Sequence, residues 1–119
     1  GGANVAIGEL RFVATLDERK RAMADAADAV VALPGGIGTL DEVTQVLTLD
    51  DIGLVCKPVC LCDADGFWAP FAAMVDRFED YGVVRPGLRR DLLYAGGAAE
   101  ALDQCARAVA AVRAESRAA

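Results

Sequence analysis

Ala29-Val30-Val31-Ala32-Leu33-Pro34-Gly35-Gly36-Ile37-Gly38-Thr39-Leu40-Asp41-Glu42 is the stretch from which the fold can be read. Its first five residues are all apolar, as in a short strand buried on both faces. Pro34-Gly35-Gly36 stops that strand, because proline and paired glycines are the strongest local turn signals. Beyond the turn, Leu40, Val43 and Val46-Leu47 recur at the three-and-four spacing of a helix with one buried stripe, predicted over about Thr39–Thr48. A strand passing through a glycine turn directly into a helix is the βα unit of a parallel sheet.

The same alternation continues in both directions. Upstream, Leu10–Thr15 is β-prone, and Asp17–Ala27 is rich in Ala, Arg, Lys, Glu and Met, all good helix formers. Downstream, Lys57-Pro58 opens the strand Val59-Cys60-Leu61-Cys62, and Asp63–Gly66 reads as a turn. A helix is predicted over Trp68–Tyr81, with Phe71, Met74, Val75 and Phe78 on one side and Gly82 at its C-cap. Arg85-Pro86-Gly87 breaks the chain, Leu92–Ala95 is a last strand, and Ala98–Arg113 is an alanine-rich closing helix. Four strands alternating with four helices predict an α/β, Rossmann-like parallel sheet with right-handed crossovers. The 119 residues are enough for one domain, spanning 1–119. A strand-like pattern also follows Gly1-Gly2-Ala3, a start without methionine that implies a processed product or a piece of a longer protein. Because both faces and edges of such a sheet need cover, further sequence or a second subunit is expected to supply it.

Composition narrows the function classes. Hydrophobic residues make up 55% of the chain and charged residues 25%, which supports a packed core rather than disorder. With 12 Lys plus Arg against 18 Asp plus Glu, the net charge of −6 makes the chain a poor candidate for wrapping a nucleic-acid backbone, although local phosphate binding stays open, and no nucleic-acid partner is expected. No run approaches the roughly 20 apolar residues of a membrane span, and no basic segment leads into an apolar one, so a cytoplasmic location is expected. The absence of histidine excludes Ser-His-Asp and Cys-His nucleophile schemes. Cys56, Cys60 and Cys62 do not have a zinc spacing, so no metal is expected. Together with Cys105 they read as small buried hydrophobes, Cys60 and Cys62 sharing one strand face.

Gly35, Gly36 and Gly38 let the backbone approach an anion closely and turn N–H groups toward it. The helix that follows aims its positive end at the same place, and Thr39 adds a hydroxyl, so the loop reads as a phosphate cradle. It is neither a Walker loop nor a GxGxxG turn. The alternative is a tight turn whose Thr39 is only an N-cap. Glu42, one helical turn on, can serve sugar hydroxyls or a developing cation, although the residues alone favour a capping box, Thr39-x-x-Glu42. Glu18-Arg19-Lys20-Arg21 opens the first predicted helix at the same end of the sheet. Arg21 reads as solvated, whereas Arg19 sits in a first turn where a cation opposes the dipole, and so reads as a partner for phosphate or Glu42.

These residues resemble the LONELY GUY (LOG) family. Leu16-Asp17-Glu18-Arg19-Lys20-Arg21-Ala22-Met23, Ala27-Asp28-Ala29 and Pro34-Gly35-Gly36-Ile37-Gly38-Thr39-Leu40-Asp41-Glu42 are similar to its M-H-E-R-K-x-x-M, A-D-A and P-G-G-x-G-T-x-x-E motifs. Lys57-Pro58 and Gly66-Phe67-Trp68 fit its downstream pattern, so the resemblance runs from about Glu9 onward. It implies a phosphoribohydrolase that cleaves the N-glycosidic bond of cytokinin riboside 5′-monophosphates or AMP without a cofactor. It also implies phosphate binding by Gly35, Gly36, Gly38 and Thr39, catalysis by Arg19 and Glu42, Lys20 as a further substrate-binding residue, and a homodimer or higher homo-oligomer. Relatives often carry a lysine decarboxylase label, but nothing in these residues identifies a pyridoxal-phosphate site. Leu16 and Asp17 depart from the family's Met and His, and the family's N-terminal strands are absent, so the chain reads as the C-terminal part of the fold. A non-catalytic nucleotide- or phosphate-binding module is the alternative, and a structural domain whose glycine loop is only a turn is a weaker one.

Overall fold

Alternation of side chains along two short strands places the core on both sides of one sheet. The computed structural model describes residues 3–7, 10–14 and 27–118. Five strands, β1 (Ala3–Ile7), β2 (Leu10–Ala14), β3 (Ala29–Ala32), β4 (Val59–Cys62) and β5 (Leu93–Ala95), lie side by side in chain order. β2 through β5 are parallel, with Val31 opposite Cys60 and Leu61 opposite Tyr94. β1 runs antiparallel to β2, Ile7 facing Leu10. The parallel sheet is therefore the expected one, extended by an antiparallel edge strand where the sequence shows only a strand-like pattern.

Val30 and Ala32 of β3, with Val59 and Leu61 of β4, face α1 (Ile37–Asp51) and α2 (Ala69–Asp80). Each of these fully buried Val and Leu side chains contributes about 1.5–3 kcal/mol relative to exposure. Ala29, Val31, Cys60, Cys62 and Ala95 form the opposite face. It is covered by α4 (Ala98–Ala118), whose Ala101, Cys105 and Val109 repeat every four residues. A single turn, α3 (Leu88–Asp91), precedes β5 and buries Leu88; the sequence suggests only a chain break here.

α1 begins two residues before its predicted start, at Ile37, and like α4 runs past its predicted end, whereas α2 is one residue shorter than predicted at each end, with Trp68 and Tyr81 as its caps. On α2, Val75 is buried and Phe71 packs on the core, but Met74 and Phe78 are exposed, so the predicted apolar side is only partly inward. Gly82 lies one residue past the C-cap Tyr81 with φ 71°. Its N–H donates to Glu79 O, and that of Val83 donates to Phe78 O, closing a Schellman motif. Gly53 ends α1 in the same way. Cys60, Cys62 and Cys105 are buried as expected, whereas Cys56 is exposed. Except for Ala27, the predicted helix Asp17–Ala27 lies outside the described residues. Among the described residues, no helix is long and apolar enough to cross a membrane.

Candidate phosphate site

In an open parallel sheet, ligands are received at the carboxyl ends of the strands, and β3 delivers Pro34-Gly35-Gly36 there. Residues 34–38 are all exposed. The N-cap of α1 is Gly36, with φ −104° and ψ −152° and no side-chain cap. Thr39 is therefore the third residue of the helix and Glu42 the sixth, which corrects the capping-box reading. A Thr-x-x-Glu pattern is a purely local signal, and the strand-to-loop geometry starts the helix before it. The first amide N–H groups of a helix have no carbonyl within it to bond, and in α1 they belong to this exposed loop.

The glycines differ in what they do for the fold. A Cβ at Gly35 would lie 2.5 Å from Thr39 Oγ1, so Gly35 is required for Thr39 to fold back over the loop. At Gly36 and Gly38, a Cβ would meet nothing within 4 Å among the described residues, and neither has a positive φ. Packing among the described residues thus does not demand glycine at these two positions, which leaves their backbone open to close approach. Thr39 and Glu42 are buried, at 9% and 3% relative exposure, and their spacing of three puts them on one side of α1. Arg19 and Lys20 lie outside the described residues. The structure thus brings together five of the expected site residues: Gly35, Gly36, Gly38, Thr39 and Glu42.

Three residues that the sequence reading left unassigned occupy the same end of the sheet. Asp63, directly after β4, is buried. Its Oδ2 accepts the Trp68 amide N–H at 2.8 Å and the Tyr94 hydroxyl, and its Oδ1 accepts the Asp65 amide at 3.0 Å. Burial opposes ionisation of Asp63, but the hydrogen bonds from Tyr94 and from the loop amides outweigh it and hold the carboxyl well below the usual carboxylate range. The same bond raises the Tyr94 hydroxyl. The Trp68 indole Nε1–H donates to the carbonyl of Ala32 at 3.1 Å. An aspartate at a strand's carboxyl end, two residues before Asp65-Gly66, was the available signal, but it read only as a turn.

The amino end of the sheet is built differently. Arg85 Nε and Nη2 donate to the two carboxylate oxygens of Asp50 at 3.0 and 2.9 Å, and Nη2 also reaches Asp91 at 2.9 Å. Its backbone N–H donates to Asp51 Oδ1. Hydrogen bonding to Asp50 raises the guanidinium pKa further still. A cleft of about 340 Å³ opens beside this cluster, with Pro58, Val59 and Leu93 among its walls.

Fold and loop together define an α/β, Rossmann-like protein with an exposed glycine loop at the carboxyl end of its sheet. A family model described as "Possible lysine decarboxylase" matches residues 2–105. The chain is 41% identical over 98 residues to a cytokinin riboside 5′-monophosphate phosphoribohydrolase LOG protein of Arabidopsis thaliana, covering 82% of this chain and 45% of that one. It is 43% identical over 94 residues to the enzyme of that name, LOG, from Oryza sativa subsp. japonica, covering 79% and 39%. The chain belongs to this LOG family, as its motifs anticipate. It spans less than half the length of these relatives.

Proposed function

We propose that this chain carries the phosphate- and ribose-binding part of a nucleotide N-glycosidase. The reaction is hydrolysis of a cytokinin riboside 5′-monophosphate or AMP: water adds its hydroxyl to the ribose C1′ and a proton to the departing base, leaving ribose 5-phosphate. The observation that carries this reading is the loop Gly35–Gly38 running into α1, with Thr39 and the buried Glu42 one turn apart behind it. The 5′-phosphate is assigned to Gly35, Gly36, Gly38 and Thr39. Cleavage of an N-glycosidic bond builds positive charge on the ribose, and a carboxylate at Glu42 stabilises it while holding the sugar or orienting water. Arg19 is assigned to the phosphate or to fixing that carboxylate. Lys20 is assigned to substrate binding beside it. The names of the relatives support this substrate class.

The reading includes assembly into a homodimer or larger homo-oligomer, to be tested by sedimentation equilibrium. Exposed apolar side chains such as Ile52, Leu54, Tyr81 and Val83 offer surface for it. The test of function is release of free base from AMP and from isopentenyladenosine monophosphate. Base release supports the assignment. Nucleotide binding without release would favour a non-catalytic phosphate-binding module, and no thermal shift at millimolar nucleotide would reduce the loop to a turn.

A further inference from the structure

We propose that Trp68 is a positioning residue for the glycine loop, holding the carbonyl of Ala32 so that Gly35, Gly36 and Gly38 meet a phosphate from a fixed position. This rests on the reading of that loop as a phosphate site. Ala32 is the last residue of β3 and is fully buried, and its carbonyl accepts the Trp68 indole N–H from the loop after the neighbouring strand. Only Leu33 and Pro34 separate it from Gly35. Proline fixes its own φ and restricts the residue before it to extended backbone, so this link is stiff and passes on the position of Ala32. Gly35 then abuts Thr39, which belongs to α1.

Trp68 is itself held. Its amide is bonded to Asp63, whose carboxylate also takes the Tyr94 hydroxyl, while the Asp63 amide donates to Ala95 O at 2.7 Å. The carboxyl ends of β3, β4 and β5 are thereby tied by one aspartate and one indole. Phe67 and Phe71 lie edge-on to the Trp68 ring, with centroids at 5.1 and 6.0 Å. Ring packing alone would be satisfied by another aromatic; the hydrogen bond to Ala32 needs the indole N–H.

The experiment compares the wild-type chain with Trp68→Phe, which keeps an aromatic ring and removes the donor, by calorimetric titration with AMP and by thermal melting. Trp68 is the single tryptophan of the chain, so its emission reports on the same position directly. A positioning role predicts that Trp68→Phe weakens AMP binding about fivefold or more, and that saturating AMP shifts wild-type Trp68 emission. A lower melting temperature with AMP affinity within about twofold of wild type would reduce Trp68 to packing and overturn the inference, leaving the phosphate reading intact. Unchanged emission at saturating AMP would overturn it as well. If the wild type binds no AMP, the phosphate reading fails and the inference falls with it. Should Trp68→Phe not fold, Asp63→Asn takes its place, with the same loss of affinity expected and unchanged affinity overturning the proposal.

Discussion

The two ends of the sheet use polar residues in opposite ways. At the amino end, Arg85 is matched to Asp50, Asp51 and Asp91, so charge there is spent within the protein and fastens α1 to the segment around α3. At the carboxyl end, Asp63 and Trp68 tie the strands together, but the glycine loop beside them stays exposed with no side-chain cap on α1. One end is fastened by paired charges; the other ties its strands with hydrogen bonds and leaves a glycine loop open to solvent, as the proposed phosphate role requires.

The sharpest test of that division is Glu42→Gln. It should lower base release by about 10²-fold or more while AMP affinity stays within about tenfold, since the carboxylate is needed where charge develops. Near wild-type turnover would remove Glu42 from the chemistry. Next in size, Gly35→Ala and Gly36→Ala should part company. The first places a methyl against Thr39 and should lower both the melting temperature and AMP affinity, the latter by about tenfold. The second should leave the melting temperature unchanged and weaken AMP alone; if both variants only melt earlier, the loop is merely structural. At the other end, Arg85→Met should cost about 1–3 kcal/mol of stability by taking the guanidinium away from the largely buried Asp50 carboxylate, read as a lower melting temperature with AMP affinity unaltered.

A smaller effect separates the ends by pH. Asp63 ionises more readily in the folded chain than the unfolded one, so its stabilisation is complete above the ordinary carboxylate range and lost as pH falls through its folded value. The stability advantage of wild type over Asp63→Asn should therefore shrink below about pH 4 in acid titrations followed by melting. The least expected change is Cys56→Ser, within about 0.5 kcal/mol of wild type. A thiol reagent should label Cys56 rapidly and Cys60, Cys62 and Cys105 only on unfolding; more than one fast thiol would show that α4 lifts from the sheet.

What the sequence disclosed follows the range of each interaction. Ala29–Ala32 and Val59–Cys62 were legible because a strand buried on both faces has to be apolar throughout. The glycine loop was legible because its spacing is local. The start of α1 was misplaced because Thr39 and Glu42 mimic a cap that the incoming strand overrides. Arg85 looked like part of a chain break because its partner Asp50 is 35 residues away, and Asp63 like a turn because Tyr94 is 31 residues away. Met74 and Phe78 kept the helical period of a buried side, but period alone does not say how far a sheet extends beneath it.

The order of the strands bears on how the molecule is made. Among the described residues, β1 through β5 stand in the sheet as they stand in the chain, so each strand from β2 onward pairs with the strand made just before it. Each such pairing closes a loop of modest length, and α4, made after β5, covers the face formed by β3, β4 and β5.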